Sequence, residues 1–414
     1  MTLRRYAYSH DIQRRTKTMS RPLLDGIRVL DFTQFQQGPS ATVLMSDLGA
    51  EVIKVERLEV GDPSRHVGKR ADGFCQYFHT HHRGKRSIAV DLRSSEGREL
   101  IFELVKRVDV VTENFKPGVM DRLGLDWDEL RARNPKLVYA SASGFGPEGP
   151  RAKSTSWASV AGAAGGGMWA NGVKGDKPYG NVAAPDPDQT GGMIFAFAIA
   201  SALVARERTG EGQLVQTSLY GSQIWGRAPA INALANGSIV PSARNMPISN
   251  MFTLQAQGAD GEWLFVGYIT DRWVPMCRAL EREDLVTNDR FATLADRNAN
   301  LDELREEVAR VIATRPAAEW PPRFDAEDVP STLIQDYPMI ARDEQAAANE
   351  YIVDFEDERY GTLRTVGSPI RANGEQGRVR SLGPELGQDT DALLKEIGWP
   401  PDAIAELRAA GVVG

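Results

Sequence analysis

Cysteine is nearly missing from this chain. Cys75 and Cys277 are the only two thiols in 414 residues. That excludes a disulfide framework and points to a reducing compartment, read here as cytoplasmic. Histidine is scarce too, with five residues at 10, 66, 79, 81 and 82, all in the N-terminal fifth. No G-x-S-x-G accompanies them, so a Ser-His-Asp hydrolase is not supported. His79, His81 and His82 lack a second Cys/His cluster at ligand spacing, so polar loop residues are expected and no metal is assigned. Positive charge is not in excess. The net charge of -7 argues against a nucleic-acid partner while leaving room for a local basic pocket. Long apolar runs are missing as well. Met193 to Ala205, at 13 residues, is too short to span a bilayer, and no membrane association is expected. Residues 1–20 hold several Arg and Lys but no apolar h-region. They read as a flexible N-terminal extension rather than a secretory signal.

What is present is an alternation of strands and helices. Ile27–Phe32 reads as a strand, followed by a loop and a helix with Pro39 in its first turn and Gly49 at its end. Ala41, Leu44 and Leu48 share one face of that helix. Glu51–Val55 is the next strand, completing a βαβ unit with a right-handed crossover. Glu56 leads into a long polar loop with His66, His79, His81 and His82. Strands at Ser87–Asp91 and Leu137–Ser141 follow, with helices on Leu100 and Leu104 and at Asp126–Arg133, and Val110–Val111 leads into a turn at Glu113–Gly118. The fold class is therefore α/β, a doubly wound, mostly parallel, Rossmann-like sheet in a large domain. Leu214–Leu219 is a further strand candidate. Near Met251 the pattern changes. Met251–Gln257 and Trp263–Ile269 flank Gly258-Ala259-Asp260-Gly261, a hairpin signal that opens a smaller α+β domain. The expected organisation is an extension at 1–20, a large domain at 21–220 and a linker at 221–247. A small domain at 248–350 follows, then a return linker and C-terminal helices at 351–414 that pack on the large domain.

Chemistry concentrates around Ala184-Pro185-Asp186-Pro187-Asp188-Gln189-Thr190-Gly191-Gly192. Asp186 and Asp188 stand at or just before the N-terminus of the apolar helix that follows. Free N–H groups and partial positive charge at such an end orient a carboxylate and keep it ionised. Helix capping is the ordinary role of Asp there. An ionised carboxylate beside glycine-opened space also suits covalent catalysis on an activated acyl group. Gly144-Phe145-Gly146-Pro147-Glu148-Gly149 formally matches G-x-G-x-x-G. Pro147 and Pro150 interrupt the turn into a helix, so a dinucleotide site is not assigned.

An ordered set of short motifs carries a family resemblance. They are Leu24–Phe32, Gly38-Pro39, Leu48–Glu56, Gly84–Ile88, Glu113–Gly118, Asp121–Gly124, Asn134-Pro135, Ser143–Gly146, Asp188-x-x-Gly191-Gly192 and Arg208–Gln213. The chain resembles the class III CoA-transferases, the formyl-CoA transferase and carnitine CoA-transferase group that includes the α-methylacyl-CoA racemases. The resemblance implies that CoA passes from an acyl-CoA donor to a carboxylic acid acceptor through a covalent aspartyl intermediate. Coenzyme A is then a substrate, and no cofactor is tightly bound. The nucleophile falls on Asp188 rather than Asp186, because only Asp188 lies four residues before Gly192 and 22 before Gly210. Gln36 matches a glutamine near the reacting acyl group. Arg57, Val90 to Arg93, Asn114, Phe115 and Arg122 match positions along the CoA. An interlocked homodimer is implied, with a heteromer as the alternative.

Two departures bear on the activity. The racemase branch carries a His-Asp pair where this chain has Trp157 and Ala158. A two-base racemase lacks one base here, which favours transfer. The run of consecutive glycines that closes the formyl-CoA transferase site has no counterpart in residues 240–257. Racemisation on the same fold and a non-catalytic CoA-binding subunit remain the alternative readings. Trp157, Trp169 and Trp225 surround the Asp188 segment in sequence, a hint of a bulky acceptor, although tryptophans are more often core residues.

Overall fold

The computed structural model describes residues 21–170, 173–174, 177–178, 186–237, 251–269 and 272–414. The N-terminal extension and the end of the expected linker lie outside the described residues. Two compact units emerge, one from Met1–Asn232 with Asn349–Gly414 and one from Ala233–Ala348.

The first unit is built on six parallel strands. In chain order they begin β1 (Arg28–Asp31), α1 (Gln37–Asp47), β2 (Glu51–Glu56), α2 (Gln76–His82), β3 (Arg86–Ala89) and α3 (Ser95–Val105). Next come β4 (Val110–Glu113), α4 (Val119–Leu123), α5 (Trp127–Arg133) and β5 (Val138–Ser143). Then follow α6 (Ala158–Ala164), α7 (Gly167–Ala170), β6 (Val173–Lys174), β7 (Lys177–Pro178), α8 (Asp186–Thr209) and β8 (Gln213–Ser218). The sheet order is β3-β2-β1-β4-β5-β8. Leu30 pairs with Ile53 on one side and Val111 on the other.

Consecutive strand residues are buried on both faces, as a covered parallel sheet requires. Leu30, Ile53, Ile88, Val111 and Tyr139 face α3, α5 and the C-terminal segment. Val29, Val52, Val110, Val138 and Ala140 face α1 and α8. The chain reverses direction across the sheet between β1 and β4. Such a switch point opens a crevice at the carboxyl ends of the strands, where α/β sheets hold ligands.

The C-terminal residues complete the first face. Leu393, Leu394, Ile404 and Leu407 enter its core from helices Thr390–Glu396 and Pro401–Ala409, and Val413 bridges Val90.

Three stretches differ from the sequence-based expectation. Residues 76–82 form α2 rather than loop. Residues 219–235 form α9 (Leu219–Gly226) and α10 (Ala228–Ala235) rather than a connection. The helix expected from Met193 begins at Asp186, so Asp188 lies inside its first turn. At this length the stretch Pro187–Thr209, with mean hydropathy 1.3, passes the length and composition test for a membrane span that the 13-residue run failed. Phe195, Ile199, Ala202 and Leu203 on α8 pack into the core instead.

Close approach explains why glycine stands at the start of α8. A Cβ on Gly192 would lie 2.7 Å from Ser40 Cβ and 2.8 Å from the Gln37 carbonyl oxygen. That carbonyl belongs to α1 and has little freedom to retreat. Gly192→Ala is expected to destabilise the protein by about 1–3 kcal/mol through overpacking, read as a lower urea midpoint at unchanged slope.

The second unit is a three-stranded antiparallel sheet, β9 (Met251–Gln257), β10 (Trp263–Ile269) and β11 (Ser331–Leu333), in the order β11-β10-β9. The hairpin turns at Gly258–Gly261 as the sequence signals. Helices cover the sheet around Phe252, Leu264, Val266, Met276, Val308 and Phe324. The Trp320 indole N–H donates to the Ile312 carbonyl at 2.9 Å.

Candidate active site

Helices α1 and α8 deliver their N-termini to the same edge of the sheet. α1 leaves the carboxyl end of β1. α8 runs antiparallel to β8, which it precedes, so it too starts at the carboxyl edge. The switch point therefore lies beside two helix N-termini.

The loop from β1 to α1 is held from three directions. Lys54 Nζ on β2 donates to the Thr33 carbonyl at 2.7 Å. Beyond β4, Asn114 accepts from the Gln34 amide at 2.8 Å and donates to the Gln34 carbonyl at 2.9 Å. Asp62 Oδ1 accepts from the Phe35 amide at 3.3 Å. These contacts hold Phe35 at φ 62°, a left-handed conformation rare outside glycine. Gln36 follows at the N-cap of α1, buried. The Phe35 ring meets Trp157 edge-on at 5.4 Å.

A buried charge network lies beneath the loop. Asp31 accepts from Lys85 Nζ at 2.9 Å and from the hydroxyls of Thr42 at 2.8 Å and Thr112 at 3.0 Å. Burial alone would raise its pKa. The ammonium groups of Lys85 and Lys54 outweigh that and hold it at about 2. Burial pulls Lys85 down to about 8 despite Asp31. Lys54 pairs with Asp62 at 2.8 Å, both side chains at most 1% exposed. Burial would lower the Lys54 pKa, but Asp62, Asp31 and Glu56 raise it overall. Glu56 takes a bidentate pair from Arg65, at 2.8 and 2.6 Å. Removing either member of such a pair strands the other charge.

Asp188 sits half-buried in the first turn of α8. Burial pushes its carboxyl up to about 6. The helix N-terminus pulls the other way and favours the ionised form. Among the described residues no hydrogen-bond donor reaches its carboxylate. Its negative charge, after burial, helps push the Tyr77 phenol up to about 12. Tyr77 Oη in turn donates to Gln36 Oε1 at 2.9 Å. With the oxygen occupied, the Gln36 amide keeps its Nε2 donors, and no described residue takes them. Tyr77→Phe frees the amide to rotate, and about a tenfold loss in kcat is expected with unchanged unfolding temperature. Steady-state kinetics beside thermal melts checks this.

The remaining sequence candidates lie along the same strand ends in different settings. Arg57, just beyond β2, is exposed and has no partner among the described residues. Arg93, beyond β3, is 87% exposed and pairs with Asp91 at 2.9 Å. The Val90 side chain is core, and its amide donates to the Glu56 carbonyl at 2.9 Å. Its backbone also bridges Val413. Asn114 is the loop clamp described above. Phe115 rests partly buried against the core. Arg122 on α4 is exposed. Thus Asp188, Gln36 and the Asn114 clamp converge, while Arg57, Arg93 and Arg122 are distributed along the edge. Trp169 and Asp186 have side chains outside the described residues. Tyr77, Lys54 and Asp62 were missed from sequence. Only the Tyr at a strand-end helix could have signalled the first, and α2 itself had been read as loop.

The histidines of α2 serve packing. His81 Nδ1 lies 2.8 Å from the Tyr77 carbonyl, and its pKa is pulled down to about 4 by burial. His82 stacks on Phe78 at 4.4 Å and is held well below its usual pKa by burial and Lys85. No group of three or more His, Cys, Asp or Glu suited to a metal occurs among the described residues. Cys75 and Cys277 are buried and unpaired.

Fold and site together define an α/β enzyme with its polar centre at the switch point of a parallel sheet. The model of CoA-transferase family III matches residues 24–390, and the chain belongs to that family. It is 32% identical to an acyl-CoA transferase of Fusarium pseudograminearum over 99% of this chain and 92% of that protein. It is also 32% identical to the acetyl-CoA:oxalate CoA-transferase of Acetobacter aceti, covering 91% of this chain and 96% of the relative. Among solved structures, a CAIB/BAIF family protein from Brucella suis superposes with a TM-score of 0.79 at 31% identity. That match covers 91% of this chain and 100% of the other.

Proposed function

We propose that this CoA-transferase moves CoA from an acyl-CoA to a free carboxylic acid, with Asp188 as the covalent carrier. The Asp188 carboxylate attacks the thioester carbonyl, and the C–S bond breaks. This leaves an acyl-aspartyl mixed anhydride and CoA thiolate. The thiolate then attacks the aspartyl carbonyl and expels the donor acid, giving an aspartyl-CoA thioester. The acceptor carboxylate repeats these two steps in reverse. Every bond broken is replaced, and no electrons are gained or lost.

One observation carries this reading. Asp188 is a half-buried, donor-free carboxylate whose charge is felt by the tyrosine that orients Gln36. A poorly solvated carboxylate is a better nucleophile than one in water. The free Nε2 of Gln36 is suited to the oxyanion that develops on the acyl carbon.

In the same reading, Arg57, Arg93 and Arg122 meet the phosphates of CoA, for which the guanidinium fork is suited. Asn114, Phe115 and the Val90 backbone line its path. Coenzyme A acts as substrate with no tightly bound cofactor. The protein works as a cytoplasmic homodimer in which the partner covers α8. Met193, Phe197 and Trp225 expose 59%, 75% and 74% of their surface, more than isolated surface residues need.

The test is to quench the enzyme after incubation with a panel of acyl-CoAs, treat it with hydroxylamine, and locate the modified residue by mass spectrometry. A mark on Asp188 that disappears in Asp188→Asn is expected. Turnover that persists in Asp188→Asn would overturn the mechanism. Exchange of α-hydrogen with deuterated water in the absence of an acceptor acid would instead favour racemisation. CoA binding with neither adduct nor turnover would favour a non-catalytic subunit.

A further inference from the structure

Gln37 stands next to Gln36 and has a different environment. It is 4% exposed, and its Nε2 has no hydrogen-bond partner among the described residues. A buried amide without an acceptor is uncommon, because more than nine in ten buried polar groups are paired. The amide is packed against the start of α8. A Cβ on Gly191 would lie 3.1 Å from Gln37 Nε2 and 3.2 Å from its Cγ. Side chains on a helix lean toward its N-terminus. The space beside Gly191 therefore lies over the turn that carries Asp188, three residues earlier on the same face. Among the described residues, two groups on facing helices are thus complementary and unpaired: a buried donor on α1 and, one turn away on α8, a half-buried carboxylate with no donor.

We propose that Gln37 is a second amide donor in the reaction, serving the aspartyl carbonyl rather than the substrate carbonyl. This rests on the reading that Asp188 carries the acyl group. Two different oxyanions form in that sequence. In the first step negative charge develops on the oxygen of the donor acyl group, toward which Gln36 is free to donate. In the second step the CoA thiolate adds to the Asp188 carbonyl carbon. A C–S bond forms, and the carbonyl pair moves onto the Asp188 oxygen. The tetrahedral species then collapses, and the donor carboxylate leaves. Gln37 Nε2 donates to that Asp188 oxygen.

The experiment compares Gln37→Leu, Gln37→Met and Asp188→Asn with the wild type. kcat and KM for acyl-CoA, the unfolding temperature and the intact mass of acid-quenched enzyme are measured for each. Loss of the donor is expected to lower kcat by about 100-fold, the lower end of the range for a single oxyanion donor. KM should change by less than about twofold. In enzyme quenched early after mixing with acyl-CoA alone, before any acceptor acid is added, the acyl adduct should predominate over the CoA adduct, because attack of the thiolate on the Asp188 carbonyl is slowed. The unfolding temperature should hold or rise, since an unpaired buried amide has been removed. Gln37→Met, unbranched and of similar length, guards against misfolding of the leucine variant. A kcat within about twofold of wild type in either folded variant would overturn the proposal. So would a loss of kcat with the ratio of adducts unchanged. Turnover in Asp188→Asn would bring down the underlying covalent reading instead. An inactive, adduct-free Asp188→Asn beside a fully active Gln37→Leu would sink the Gln37 proposal alone.

Discussion

Asp188→Asn is expected to lose activity by at least about 10³-fold while becoming more stable, since the proposed covalent carrier is removed and with it a charge the fold must partly bury. The carboxyl is pushed up to about 6 in the folded protein, from an ordinary value of 3.8, by burial. A raised pKa means the folded state binds its proton more tightly than the unfolded state. Stability from that proton is complete below about pH 4 and is lost as the pH rises through about 6. Wild type therefore carries a penalty at neutral pH on the order of 1–3 kcal/mol, with the helix N-terminus and partial solvent contact working to reduce it. The Asn variant does not titrate. Its advantage in urea unfolding should be near zero at pH 4 and reach a plateau above pH 7. In wild type the same ionisation should give kcat/KM an acid limb with a midpoint near pH 6. A stability difference that does not grow with pH would show that the Asp188 carboxyl is not raised.

Asp62→Ala is expected to be the most damaging change away from the reacting atoms. Asp62 pairs with Lys54 at 2.8 Å and accepts from the Phe35 amide at 3.3 Å and the Ser64 amide at 2.8 Å. Burial raises its pKa, but Lys54 and these hydrogen bonds outweigh it, so the carboxyl is lowered overall. Removing it leaves a fully buried ammonium short of a partner. About 3–5 kcal/mol of destabilisation is expected, the range for breaking a buried pair. Because the pKa is depressed, the stability it contributes is present above its unfolded value and fades as the pH falls through the folded one. The gap between Asp62→Ala and wild type should therefore narrow in acid. Function should suffer separately. Without the Phe35 anchor the left-handed residue relaxes, and Gln36 loses its orientation. About a tenfold loss of kcat is expected in protein that remains folded at low temperature. Asp62→Asn keeps an acceptor for both amides and should recover part of kcat while remaining unstable. Equal kcat in the two variants would separate the network from the catalytic loop.

The parts of the fold that were legible in sequence are those whose signals are local. β1, β2, β5 and β8 are short apolar runs bounded by turns, and all four lie where those runs predict. The hairpin of the second unit follows from glycines at both ends of its turn. α2 was hidden because its buried face is Phe78, His81 and His82. Two of these rings count as polar in any periodicity, yet burial keeps both largely uncharged. α8 was placed seven residues too late. Gly191 and Gly192 disfavour helix by intrinsic propensity, but their missing side chains are what allow α8 to start against α1.

The site divides in the same way. Asp188 and Gln36 stand out by residue type and spacing within ordered motifs. Tyr77 and Gln37 carry no such mark. Each acquires meaning only from a neighbour at least 40 residues distant in sequence, Gln36 for Tyr77 and Gly191 for Gln37.

The amino-acid sequence by itself determined the alternation of strands and helices and the family. Those properties depend on backbone preference and on the order of short motifs, both of which are local along the chain. Tertiary structure alone decided that Asp188 is a half-buried carboxylate without a donor among the described residues, that Tyr77 holds the Gln36 amide, and that Gln37 faces the same helix end with no described partner. Desolvation and hydrogen bonding depend on what surrounds a group in space. Here that surrounding is created by parallel crossovers, which bring two distant helix N-termini to one edge of the sheet.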